Sequence, residues 1–499
     1  MNTNKNKISL SRRHGWGTLA VLALLLLLLV SSCSDFTDIK PKGKNLLNST
    51  NDLELLLNNE METKITDFYE VGSDVIYSYS NVISALSVDN PTRSAYLMGW
   101  KDSDADITRL ELLTTSDSYY TNFYSYIGKI CNPILQQLDG ASGDEAKKNQ
   151  LRAEALALRA YFHFMLLQKY AKAYNPATAD TDPAIAYMTE DVDISTPQPK
   201  KTVKEAYDLA LKDINEAISL NALPETNASL MRINRAAAYA IKAHICMAMR
   251  DYTAAEDAAK QALAVQGELY DYWAHATTQT SYGGVEYQTA TVDCRKNPES
   301  YFILPDLIFY SWVEPASWNA IEEGYSTRDL MPTMGKMYKG YAGGAYDDYG
   351  ALLGLPGWNT GYDLTNYVNE SGLCSPMMYL ICAECEIRSG NIDQGMDYLD
   401  QLRAKRLPAD KFTALKGKVK TQAEAIAKLK ATSFAENLWT GWNFIQRKRW
   451  NAEDGWKETL HRTIGDTTYT LEPTSNLWVF PFPNSARSMN PNLTSNKNE

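Results

Sequence analysis

The chain has 499 residues, 44% of them hydrophobic, with 49 Lys and Arg against 60 Asp and Glu for a formal charge of −11. That length fills two or three average domains or one large repeat-built body. An acidic chain is repelled by phosphate backbones and anionic lipid surfaces, which argues against nucleic acid as a partner.

The first element is a leader. Lys5, Lys7, Arg12 and Arg13 precede an apolar run over residues 19–30, which ends in Val30-Ser31-Ser32-Cys33. A basic n-region, a short apolar h-region and small residues before a cut predict a secretory signal peptide over residues 1–32. The run falls short of the roughly 20 apolar residues of a membrane-spanning helix. A cysteine directly after the small residues looks like a bacterial lipobox, with Cys33 as the acylated first residue of an exported, membrane-tethered protein. Acyl chains supply membrane affinity at about 0.8 kcal/mol per buried CH₂, and more than one makes the anchor stable. Without the leader the charge is −15, so tethering rests on lipid and not on a basic patch. Cys131, Cys246, Cys294, Cys374, Cys382 and Cys385 are scattered and do not read as a disulfide framework. Cys382 and Cys385 form a C-x-x-C in an apolar helical segment without a second ligand pair. Buried thiols are expected there, with no metal and no cofactor.

Gly99-Trp100-Lys101-Asp102 reads as a loop. Asp102, Asp104 and Asp106 alternate like the start of a calcium loop, but Ile107 stands where glycine is needed and Leu113 where glutamate is needed. Helical spacing then recurs. Residues 119–138 carry Phe123, Ile127, Ile130, Ile134 and Leu138 on one stripe, and 151–170 follow with Leu156, Ala160, Phe164 and Leu167. Further helices are expected over 203–220, 233–249, 252–265, 377–388 and 392–406, the last two joined by Ser389-Gly390-Asn391, which suits a helix stop. Paired helices with small residues at crossings point to a mostly α, tetratricopeptide-like scaffold over about 119–266 and 375–450. Such pairs bury their apolar faces only by stacking on neighbours.

Between these halves, about 267–372, helical periodicity lapses. Residues 268–370 hold Trp273, Trp312, Trp318, Trp358, Phe302, Phe309 and thirteen tyrosines, 19 aromatics in 103 residues against 11% in the whole chain. A few short strands are expected, one at Leu307-Ile308-Phe309-Tyr310, among long loops such as Gly340-Tyr341-Ala342-Gly343-Gly344. Long loops in a folded domain are functional or disordered, and this aromatic content argues against disorder. Trp439, Trp442 and Trp450, beside helical segments, are expected in the core.

A series of segments begins with Cys33-Ser34-Asp35-Phe36-Thr37-Asp38-Ile39-Lys40-Pro41-Lys42-Gly43. Arg152-Ala153-Glu154-Ala155 with Arg159-Ala160-Tyr161-Phe162 follows, then Thr202-Val203-Lys204-Glu205-Ala206-Tyr207 with Asp213-Ile214, and Arg235-Ala236-Ala237-Ala238. Tyr379-Leu380-Ile381-Cys382-Ala383-Glu384, Gly441-Trp442-Asn443-Phe444, Lys448-Arg449-Trp450, Phe480-Pro481-Phe482-Pro483 and Asn490-Pro491-Asn492-Leu493 complete the order. Together these segments resemble the SusD/RagB family of outer-membrane nutrient-uptake lipoproteins. The stretch 428–434, Lys-Leu-Lys-Ala-Thr-Ser-Phe, departs from the family's Arg/Glu-rich pattern, which bears on a local salt-bridge network and not on the fold. The resemblance implies one SusD-like domain over 33–499, lipid-anchored at the outer membrane and facing the exterior. It further implies capture of oligosaccharide for a SusC-like TonB-dependent transporter.

Sugar binding needs rigid apolar ring faces with polar groups beside them. Trp100, Asp102, Trp273, Trp312, Trp318 and Trp358 are the candidate ligand residues on that ground. No H-E-x-x-H, P-loop or G-x-S-x-G occurs, and His163, His244, His275 and His461 lie far apart, so an enzyme is not expected. A peptide-binding member of the same family is the first alternative, and a glycoside hydrolase using two carboxylates the second.

Overall fold

A computed structural model describes residues 47–62, 66–72, 75–76, 92–226, 229–307, 311–361 and 366–497. The leader, Cys33 and the segment through Gly43 lie outside the described residues. From Asn48 onward the protein is mostly α-helical.

Local chemistry starts each long helix. Asp144 accepts the Lys147 N–H at 2.8 Å ahead of α1 (Glu145–Tyr170). Thr202 and Glu205 form a reciprocal capping box ahead of α2 (Val203–Ser219). Asn234 caps α3 (Arg235–Met249), and Asp251 caps α4 (Tyr252–Val265). Each cap satisfies N–H groups that a helix start leaves without a partner, for about 1 kcal/mol.

These helices stack in chain order, α1 on α2, α2 on α3, α3 on α4. The chain leaves the stack after Val265 and rejoins it at α5 (Ser375–Arg388), which packs against α4 and then against α6 (Ile392–Arg403). Small residues permit the close crossings: Ala236, Ala240 and Ala243 of α3 and Ala255, Ala259 and Ala262 of α4 are fully buried. Gly395 on α6 lies so near α5 that a Cβ would meet Ile387 Cγ1 at 2.8 Å. α7 (Gln422–Glu436) and α8 (Trp442–Asn451) complete the helical body, and Trp439, Trp442 and Trp450 are buried in and beside α8.

Buried ion pairs join helices distant in sequence. Arg159 on α1 holds Asp213 on α2 through Nε at 2.7 Å and Nη2 at 2.8 Å. Arg449 on α8 grips both oxygens of Glu384 on α5 at 2.6 Å, and Arg388 adds a third bond at 2.8 Å. Burial alone would raise the Glu384 carboxyl, but the two guanidiniums outweigh it and hold its pKa at about 2. Cys382 and Cys385 are buried on α5, with Cys385 Sγ 3.6 Å from Met247 Sδ.

Strands are short and sit mainly in the excursion. They are β1 (Val75–Ile76), β2 (Thr277–Thr280), β3 (Glu286–Thr289), β4 (Ser300–Phe302), β5 (Pro305–Leu307), β6 (Ser311–Val313), β7 (Asn359–Gly361), β8 (Tyr367–Asn369) and β9 (Leu373–Cys374). β1, β6 and β7 form an antiparallel sheet in which Trp312 faces Ile76 and Thr360. β2–β3, β4–β9 and β5–β8 are antiparallel pairs. The expected strand at 307–310 divides: one strand closes at Leu307, another opens at Ser311, and 308–310 lie outside the described residues. A hairpin of β10 (Leu460–Ile464) and β11 (Thr467–Leu471) follows α8.

A charged knot ties the excursion to the helices. Arg406 reaches Glu436 at 2.8 Å and Glu299 at 2.7 Å, and Tyr325 donates to Glu436 at 2.7 Å. Lys430, within the stretch that departs from the family pattern, bonds Trp456 O at 2.7 Å and Glu458 at 3.2 Å. That region therefore keeps ion pairs, one from Lys430 within the stretch and one between Arg406 and Glu436 outside it. Among the described residues no helix is long and apolar enough to cross a membrane.

Candidate functional site

Most tryptophans of the excursion go inward. Trp312 on β6 is fully buried and packs with Met98, Leu355, Trp358 and Ile464. Trp358 is 5% exposed, and Trp318, in the helical turn Pro315–Ala320, is 7% exposed. Trp100 sits at φ 44° with its ring 4% exposed. Its Nε1 donates to Val71 O at 3.0 Å, and the Arg462 guanidinium lies 4.3 Å above the ring. Trp273 is half-buried, its Nε1 shared between Gly324 O at 2.9 Å and Arg406 O at 3.0 Å. Asp102 is half-buried just after the Trp100 turn.

Of the six candidates, Trp312 and Trp358 meet in one apolar cluster, and they meet as core. Sugar stacking needs an open ring face, and Trp100, Trp312, Trp318 and Trp358 have none. The reason is long-range: each loop tryptophan finds a wall from a segment distant in sequence, such as Met98 and Ile464 around Trp312.

One group of tyrosines goes outward, while Tyr301 and Tyr325 of the same excursion are buried. Tyr338 is the hub of a surface group, with ring centroids 4.9 Å from Tyr282, 6.0 Å from Tyr341, 5.7 Å from Tyr346 and 6.1 Å from Tyr349. Tyr341 and Tyr346 are 5.3 Å apart. Tyr349 stacks at 6.2 Å on the buried Trp312, which roots the group in the core. Tyr282 is 66% exposed and Tyr341 44%, while Tyr338, Tyr346 and Tyr349 are half-buried.

Backbone contacts fix these rings in place. The tip of the β2–β3 hairpin docks on the segment after the short helix Met334–Met337: Tyr282 N donates to Met337 O at 2.8 Å and Ser281 Oγ to Lys339 O at 2.7 Å. A Cβ on Gly283 would collide with the backbone of Gly340 and Tyr341, and Gly340 itself turns at φ 74°. Only glycine suits both demands. Beneath, the Lys336 ammonium donates to Asp329 O at 2.7 Å and Met331 O at 2.9 Å, with burial pushing its pKa down to about 8.

Polar groups flank the rings. Asp347 accepts from Gly340 N at 2.7 Å and pairs with Lys339 at 3.0 Å, which lowers its carboxyl below the usual range. Asp348 accepts from Ala351 N and Gly357 N, each at 2.9 Å. The result is a preorganised plate of phenol faces and hydroxyls, edged by charge. Tyr282, Tyr338, Tyr341, Tyr346 and Tyr349 are candidate site residues that lie outside the set expected from the sequence. Their signal was present in the tyrosine count and in the glycine-rich Gly340–Gly344 loop.

Over residues 35–247 the sequence matches a SusD-like family model described as starch-binding associating with outer membrane. No curated protein matches. The fold is similar to that of a SusD superfamily protein from Bacteroides fragilis, at 16% identity and TM-score 0.61, over 90% of this chain and 100% of that one. A SusD superfamily protein from Bacteroides thetaiotaomicron gives 17% identity and TM-score 0.61 over 90% and 99%. A SusD-like carbohydrate binding protein from Bacteroides vulgatus gives 17% and 0.59 over 89% and 97%.

Proposed function

We propose that this chain, whose residues 35–247 match a SusD-like family model, is a SusD/RagB-family protein that binds a carbohydrate at an outer membrane, without cutting it, on the tyrosine face around Tyr338. The family description supports carbohydrate as the ligand class and the outer membrane as the place. The finer proposal has Cys33 acylated, the body facing the exterior, and captured oligosaccharide passing to a SusC-like TonB-dependent transporter. The observation that carries the binding reading is one face bearing five tyrosine rings on a fixed backbone. Rigid amphipathic rings give large contact area at low entropic cost and offer hydroxyls for sugar oxygens.

The two carboxylates beside the rings favour binding over hydrolysis. A glycoside hydrolase keeps one carboxylic acid protonated near neutral pH. Asp347 is shifted the other way, and Asp348 is occupied by two backbone N–H groups.

A glycan array run beside a peptide mixture tests the ligand class: glycan binding supports the reading, and exclusive peptide binding overturns it. Calorimetry with the best glycan then tests the site, where Tyr338→Ala is expected to lose about 1–2 kcal/mol of affinity. Wild-type affinity in that variant and in Tyr341→Ala would move the site elsewhere. Chain shortening of the bound glycan over time would overturn the non-catalytic role.

A further inference from the structure

A cavity of about 280 Å³ shares no lining residue with the tyrosine face. Its wall includes Lys448 and Asn451 of α8 with Lys172, Asp182, Lys457 and Trp478. Lys448 and Asn451 stand three residues apart and so share one helical face. Both are more than nine-tenths buried, at 4% and 6% exposure. Lys448 gives two of its three N–H bonds to Gln168 O at 2.7 Å and Ala171 O at 2.5 Å, carbonyls at the end of α1. Asn451 Oδ1 accepts the Glu458 N–H at 3.0 Å, while its amide nitrogen has no partner. Native interiors pair nearly all such donors.

Asp182, the one carboxylate among the lining residues, holds Lys172 at 3.0 Å and Thr178 Oγ1 at 2.6 Å. Lys457 is exposed at the rim, where it pairs with Asp454 at 2.7 Å. The lining thus holds three ammonium groups against one carboxylate within an acidic chain. Desolvation pushes the Lys448 ammonium down to about 7, and an anion beside it would reverse that cost.

We propose that this cavity binds a small oxyanion, a carboxylate or sulfate group that is free or borne on an acidic sugar, held by Lys448 and the Asn451 amide. The inference stands apart from the carbohydrate reading of the tyrosine face. Calorimetry at constant ionic strength with sodium sulfate and with sodium glucuronate, against glucose, tests it. Either anion is expected to bind where glucose does not, and which one binds tells a free sulfate from a sugar-borne carboxylate. Asn451→Asp keeps the acceptor for Glu458 but sets like charge against the ligand, and should weaken binding about tenfold or more. Lys457→Gln, at the rim, should weaken it about threefold. Bound anion should also move the Lys448 titration upward in NMR, and Tyr338→Ala should leave all of this unchanged. The proposal falls if neither anion binds more tightly than roughly 10 mM, if glucose binds equally well, or if the Lys448 titration stays fixed. Should Asn451→Asp fail to fold, Lys457→Gln and the Lys448 titration decide.

Discussion

The helical stack and the excursion between α4 and α5 treat their chemistry-bearing residues in opposite ways. In the stack, charges are buried and matched, as in Arg159 with Asp213 and Glu384 with Arg449. In the excursion, Tyr282 and Tyr341 stand in water around the half-buried Tyr338. A matched buried charge fixes one geometry, because removing either partner strands the other in a low dielectric. An exposed ring contributes little to folding and keeps its face open for a ligand. The frame thus carries the strong sequence motifs, and the proposed contact surface lies where motifs are weakest.

The comparison breaks hardest at the buried pair. Glu384→Ala should cost about 3–5 kcal/mol in denaturant unfolding. The same carboxylate sets an acid limb. Its folded pKa lies below its unfolded value, so its contribution is present above about pH 4.3 and is lost as pH falls toward about 2. Unfolding midpoints measured down that range in wild type and Glu384→Gln should converge. Trp312→Ala should cost about 3 kcal/mol or more by opening a core cavity, and circular dichroism melts would register it. Tyr338→Ala should do the reverse, leaving the melt close to wild type and removing about 1–2 kcal/mol of glycan affinity. Least of all, Lys339→Ala should leave affinity within about twofold, since its pair with Asp347 is solvent-screened. A Tyr338→Ala variant that melts like Trp312→Ala would erase the distinction between the two regions.

Helix pairing was legible because a 3.6-residue period survives in the sequence. The Ser389-Gly390-Asn391 joint lies where α5 ends, with Gly390 at φ 87°. The motif residues were legible as motifs, though not as partners: Arg159 and Asp213 lie 54 residues apart and meet only once α1 and α2 pack. Exposure within the excursion was not legible. Trp100 reads as a loop residue, yet its turn feeds the indole to Val71 O and under Arg462, contacts that no local pattern encodes. Tyr338 carries no period either, and its exposure follows from a hairpin docking through Gly283, more than fifty positions earlier in the chain.

The excursion begins and ends at one spot on the stack. Ser375 Oγ donates to Glu268 O at 2.6 Å, and Tyr379 OH to Gly267 O at 3.0 Å. An inserted segment whose two ends are clasped together is thermodynamically modular, since doubling a flexible loop adds only about 0.6 kcal/mol of closure entropy. Transplanting a different segment between Gly267 and Ser375 would therefore retune ligand choice while the helices keep their register, which makes this clasp the natural seam for engineered specificity.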